Sequence, residues 1–395
     1  MTESLKKLLE KKQQHATTTE EDKIIEEKLN EFSILQDLYF EKESDFEETD
    51  IHDTLNINQL KKNYNRKFFH LGVKIFLSLL IFFSLGFFVL RPILEKWYYN
   101  PTTTQEDSQL SNHQVMLDIY TQLTNPHYIL TNSIIEKDGF ARYRVQNTYQ
   151  PILNQNSVYA KPEVETYTFQ YGNIQISEST PYFSVHPPLL KMTLDNETAA
   201  EKIAADLKKR TLATIQELPK SSQLFSVISF NHAITIDELH SLFSSEETQN
   251  GLKWAAVEIS EVGTGTSLLG LPIGFSANQL NLSNTDYNIE RNKEYPELYP
   301  YSFIGSRESM TSKNYEQQFL SMLDYSIDHY ESEVNHLSHR YDKKLFEDAR
   351  NYVQKKGLKI NAIYFTSSPD VLEAIIQNRL VWNVEILDST LYRTP

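Results

Sequence analysis

The stretch "LKINAIYFTSSPDVLEAIIQNRLVWNVEI", residues 358–386, reads as strand, capped helix and strand, and it echoes an earlier part of the same chain. There "LFSVISF" (224–230) is followed by "TIDELHSLF" (235–243) and then by "LKWAAVEI" (252–259). Each copy closes on a strand bearing a tryptophan, Trp254 in the first and Trp382 in the second. Thr235 and Glu238 have capping-box spacing, in which the hydroxyl takes the N3 amide and the carboxylate returns to the cap amide. Ser368 stands before Pro369, the residue favoured at the first helical position. The copies differ by one residue after the tryptophan, which inverts the facing of the strand unless a bulge absorbs it. The pattern predicts two β-α-β units sharing one sheet, in a ferredoxin-like or split β-α-β arrangement.

Upstream, residues 115–190 alternate in polarity and are rich in Tyr, Thr, Val and Ile, as in "FARYRVQNTY" (140–149), which predicts a β-rich part. The stretch 196–218 reads as a helix that stops before Pro219. A further helix is predicted over 314–357, with Phe319, Leu320, Leu323 and Ile327 at helical spacing and Gly357 as its C-cap. Residues 278–314, rich in Asn, Tyr and Pro, read as a long loop, a length at which loops are commonly functional or disordered. "YNPTTTQEDSQLSNH" (99–113) reads as a linker.

From Phe68 to Leu90 the chain is almost wholly apolar, and those 23 residues span roughly 34 Å as a helix, enough for a hydrocarbon core of about 30 Å. The only charge is Lys74, which snorkels to the near interface. A cleaved signal peptide is not expected, because a largely polar segment of 67 residues precedes the span. Lys61, Lys62, Arg66, Lys67 and Lys74 crowd one flank, against Arg91 and Lys96 on the other. The positive-inside bias then predicts a cytoplasmic N-terminus, an outer region of some 300 residues, and Trp97, Tyr98 and Tyr99 as an interfacial belt. No cysteine is present, so no disulfide supports the outer region and no thiolate metal site exists. That favours a Gram-positive bacterial surface, on which Asn196-Glu197-Thr198 is a chance sequon.

Residues 1–60 hold 16 Asp and Glu against 7 Lys and contain neither Gly nor Pro. A short helix carries Leu5, Leu8 and Leu9, and a second opens on a Thr18-x-x-Glu21 capping box. Ile25, Leu29, Phe32, Leu35 and Tyr39 follow at spacings that share one helical face, flanked by Glu26 and Glu27. The acidic tract 41–53 reads as disordered. The negative charge excludes nucleic acid, and an acidic polar face is repelled by anionic lipid, which leaves a basic protein surface or a second copy to cover the stripe.

No chemistry-bearing motif emerges. The chain has no G-x-S-x-G, no H-E-x-x-H and no Walker loop, and "GTGTS" (263–267) lacks the lysine of a phosphate cradle. His329, Glu333, His336 and His339 have the spacing of a helical zinc face, yet a solvated polar face explains them better. His232 and His240 flank a helix whose acids are explained by capping. The expectation is therefore a non-enzyme with no catalytic residue, no cofactor and no metal.

"LPKSSQLFSVISFNHAITIDELHSLF" (218–243), "LKWAAVEI", "LGLPIGF" (269–275) and the stretch 351–386 resemble the single-pass sigma factor regulators, membrane anti-sigma factors of Gram-positive bacteria. "LTNPHYIL" (123–130) resembles the start of the family's outer region, and residues 5–42 resemble its cytoplasmic sigma-holding helix pair. Where the family has a glycine-containing turn between those helices, this chain has "HATTTEE" (15–21). The resemblance implies an anti-sigma factor that sequesters an extracytoplasmic-function sigma factor through Ile25, Leu29, Phe32, Leu35, Tyr39, Glu26 and Glu27, and releases it on an envelope signal, with a companion membrane protein or a homodimer as further partners. The rival reading is a bitopic envelope scaffold, a secretion or division component without a transcriptional role. The expected class is α+β, with a helical cytoplasmic segment (1–66), a transmembrane helix (67–91), a linker (92–114), a β-rich part with a helix (115–218) and a C-terminal domain (219–395).

Overall fold

The computed structural model describes residues 12, 18–41, 57–105, 108–152, 162–176, 188, 190, 197–261, 268–273, 289–298, 310–331 and 342–391. The chain divides into two compact units, Met1–Phe82 and Phe83–Pro395.

In the first unit, α1 (Thr19–Glu41) begins where the capping box placed it. The Glu21 amide donates to Thr18 Oγ1 at 3.4 Å, and the Thr18 amide donates to Glu21 Oε2 at 3.0 Å. Glu20, Glu21 and Asp22 occupy the first turn, where carboxylates complement the helix dipole. The expected short helix at Leu5–Leu9 and the acidic tract at 42–53 lie outside the described residues. Helix α2 (Ile57–Leu85) runs over the boundary between the units, and the second unit opens with a π-helical turn (Gly86–Leu90), closed by the Arg91 amide on the Gly86 carbonyl, and α3 (Arg91–Glu95).

The second unit holds two sheets. The first is an antiparallel meander of β1 (Tyr128–Gly139), β2 (Arg142–Pro151), β3 (Glu163–Gln170) and β4 (Asn173–Ile176), paired in that order. The alternation in "FARYRVQNTY" becomes alternating burial, with Tyr143, Val145, Asn147 and Tyr149 turned inward. Tyr171 (φ 51°) and Gly172 (φ 81°) make the two-residue turn from β3 to β4, and both sit in the left-handed conformation that matches strand twist.

The second sheet has the order β7-β6-β8-β5-β9, every neighbouring pair antiparallel: β5 (Ser222–Ile234), β6 (Leu252–Val257), β7 (Gly270–Pro272), β8 (Ile360–Ser367) and β9 (Val381–Leu391). The β6–β8 pairing shifts register twice, between Leu252 and Trp254 with the extra residue on β6, and between Ala256 and Val257 with the extra residue on β8. Preceding β5 is α5 (Glu197–Glu217), whose Lys208 and Thr211 donate to the Val381 and Val384 carbonyls of edge strand β9 at 2.6 and 2.8 Å. That satisfies edge groups that otherwise recruit other strands. Between β5 and β6 lie α6 (Ile236–Leu242) and α7 (Glu246–Gly251), and α11 (Pro369–Ile376) joins β8 to β9. The Thr235–Glu238 box forms as expected. Ser368 is the N-cap of α11, but its hydroxyl bonds Glu247 at 3.4 Å instead of an amide.

Alternate residues of this sheet serve two faces. Leu224, Ile228, Ala255, Ile363 and Phe365 join the large core, while Phe225, Val227, Trp254, Ala256 and Tyr364 form a smaller cluster on the other side. Helix α4 (Asn112–Thr124), capped by Ser111 and Gln114, sends Val115, Met116, Ile119 and Leu123 into the large core and Leu117 against β1 and β2. The Trp254 indole N–H donates to the Gln122 carbonyl at 2.6 Å.

Two expectations are corrected. The helix predicted over 314–357 is two helices, α9 (Ser312–Asp328) and α10 (Lys343–Lys356). Asp342 starts the second by accepting from the Leu345 amide at 2.8 Å, and Gly357 ends it at φ 76°. The stretch read as a loop over 278–314 contains, in its described part, α8 (Ile289–Glu294) followed by the buried Tyr295 and Leu298.

Candidate functional site

The apolar stripe of α1 divides once tertiary packing is counted. Ile25 is 0% exposed, whereas Leu29 is 50% and Leu35 64% exposed, with Ile24 and Ile34 also open. Phe32 and Tyr39 lie within α1, and Glu26 and Glu27 are exposed. Lys12 reaches Asp22 in the first turn of α1 at 3.3 Å. Lys28 pairs with Glu31 at 2.6 Å, which raises its ammonium above the usual lysine range. The helix holds eight acidic residues against two lysines. Such a surface attracts basic protein, and its open leucines supply apolar area to bury.

Within the helix from Tyr64 to Glu95 an 18-residue window has a mean hydropathy of 2.5, and the helix is long and apolar enough to cross a membrane. Phe68 lies in α2, 65% exposed, and Leu90 ends the π turn. Beyond it, the residues read as a linker pack on the four-stranded sheet. Glu95 takes Arg91 Nε at 3.2 Å on one carboxylate oxygen and Lys137 Nζ of β1 at 2.7 Å on the other. The Arg91 guanidinium also lies 5.0 Å from the Phe87 ring centroid and 5.8 Å from that of Phe140. Tyr98 packs on Phe140 and Tyr171. Tyr99 packs on Phe169, and its hydroxyl bonds His113 Nδ1 at 2.8 Å, while the Nε2 of that fully buried ring bonds the Tyr167 hydroxyl at 2.8 Å. Of the three expected belt aromatics, Trp97 alone stays open to its surroundings.

Among the described residues no group of His, Asp or Glu is placed to hold a metal. His329 follows α9 and stacks on Tyr325 with centroids 4.1 Å apart; Glu333, His336 and His339 lie outside the described residues, as does "GTGTS". His240 is half-buried against Tyr315, which lowers its affinity for a proton, and Glu238 is held below the usual carboxylate range by its bonds to Thr235. Capping explains the acid, as expected.

Residues 215–385 match the family model described as sigma factor regulator, C-terminal. No curated protein and no solved structure matches the chain.

Proposed function

Because residues 215–385 match the sigma factor regulator C-terminal model and the described residues include one helix long and apolar enough to cross a membrane, we propose an anti-sigma factor whose α1 binds an extracytoplasmic-function sigma factor in the cytoplasm. The span is oriented with its lysine-rich N-terminal flank inside and the chain that follows Leu90 outside. The observation that carries the reading is the pair of open leucines, Leu29 and Leu35, on an acidic helix. Each buries about 1.5–3 kcal/mol of apolar transfer energy in a partner groove, offset in part by the cost of association. The carboxylates speed encounter and compete with promoter DNA for the same basic surface. An envelope signal is sensed outside and loosens this grip through the span, either by conformational change or by proteolysis; a companion membrane protein or a second copy completes the assembly. We read the second sheet as two split β-α-β units, β5 to β6 and β8 to β9, each strand pair separated by a strand of the other unit.

Purifying the full chain from its membrane and identifying bound sigma factors tests this. Wild type retains one; Leu29→Glu with Leu35→Glu loses it at unchanged membrane abundance, and the sigma-dependent genes rise. Equal retention by that variant overturns the assignment of the face. Absence of any bound sigma factor from wild type, with a secretion or division protein in its place, favours the scaffold reading.

A further inference from the structure

We propose that a cleft of about 460 Å³ beside the outer end of the span binds the phosphate headgroup of a membrane lipid. It is lined by Lys96, Asn100, Thr102 and Thr103 from the chain leaving the membrane and by Lys137 and Tyr143 from β1 and β2. The Thr102 and Thr103 hydroxyls donate to the Asn100 side-chain and main-chain oxygens at 2.8 and 3.0 Å, which leaves the Lys96 and Lys137 ammonium groups, the Asn100 amide N–H and the Tyr143 hydroxyl as donors for phosphate oxygens. Glu95 also lines it, but both of its carboxylate oxygens are already engaged by Arg91 and Lys137. Lys96 and Lys137 against Glu95 give the lining a net charge of about +1, and Arg91 pairs with Glu95 from outside it. Lys96 makes no ion pair among the described residues, so its charge remains to be matched.

Depth agrees with this ligand. The sixteen uncharged residues 75–90 end at Arg91, and Glu95 lies five residues beyond Leu90. Along a helix that is ~7.5 Å, against a headgroup layer of ~5–8 Å on each side of the hydrocarbon. The cleft therefore opens at the level of the phosphates. The clasp around it, Tyr98 on Phe140 and Tyr99 on His113, keeps its two walls together.

The test titrates the full chain in neutral detergent with short-chain phosphatidylglycerol, counting adducts by native mass spectrometry. One tight adduct is expected, weaker with phosphatidylcholine and missing with diacylglycerol. Lys96→Gln weakens it about five-fold, the factor one lysine contributes near an anionic surface; Lys96→Arg retains it, and Lys344→Gln on the exposed side of α10 leaves it unchanged. Three results would each overturn the proposal: an unchanged Lys96→Gln, equal binding of diacylglycerol, or displacement of the lipid by inorganic phosphate at equal concentration, which would make the ligand a free anion.

Discussion

Ile25 and Leu29 are one helical turn apart and equivalent by periodicity, yet one is enclosed and the other open. Ile25→Glu should therefore lower the abundance of the protein by burying an unpaired carboxylate, while Leu29→Glu should leave abundance alone and cost only the partner. A second residue with a separable role is Lys253 in β6, 8% exposed, its ammonium donating to the Asn250 carbonyl at 3.0 Å. Burial pushes it down to about 8. Its unfolded value is about 10.4, so between these values the unfolded chain binds more protons and stability rises with pH across that window. Lys253→Met should raise the melting temperature at pH 7, by at most ~3 kcal/mol of stability before the lost carbonyl bond is deducted. The gain should shrink above pH 8 and vanish near pH 10–11; a gain independent of pH would assign it to packing. None of this was legible in the sequence, because "LKWAAVEI" alternates normally around a lysine whose burial is decided by distant residues.

At the scale of elements, legibility followed locality. The Thr18 and Thr235 boxes, the Gly357 stop and the alternation of β2 are each decided within a few residues, and each formed. The division of α9 from α10 was missed because Asp342 sits inside an otherwise helical pattern, where its capping competes with continuation. Helix α8 has six residues, too few for a period. The docking of residues 91–105 is not legible for another reason: the polar composition of a linker says nothing about the rings of Phe140, Phe169 and Tyr171 farther along the chain. Tyr99 is held by Phe169 and His113. Tyr99→Ala should cost on the order of 2 kcal/mol, less than a fully buried aromatic, and raise amide exchange across 96–105 and at the N-terminus of α4. Exchange confined to residue 99 would mean that the clasp is held elsewhere.

At the scale of the molecule, the echo of strand, helix and tryptophan strand placed the large sheet correctly in the chain, but it did not show what closes that sheet. The family match starts at residue 215, inside α5, and yet Val115, Met116, Ile119 and Leu123 of α4 lie within the same core, and Gln122 takes the Trp254 indole bond. Helix α4 in turn packs Leu117 on the four-stranded sheet, and that sheet holds the end of the span. A fragment of residues 215–391 should thus aggregate, while one starting at residue 108 should melt cooperatively in calorimetry. A soluble, cooperative 215–391 fragment would show that α4 is dispensable. The consequence reaches cellular processing: in the proposed orientation, a protease that nicked the chain between the span and α4 would free an intact body holding both sheets, whereas a nick after α4 would strip out one wall of the core and leave debris. The site of a cut thus decides whether cleavage releases that body or destroys it.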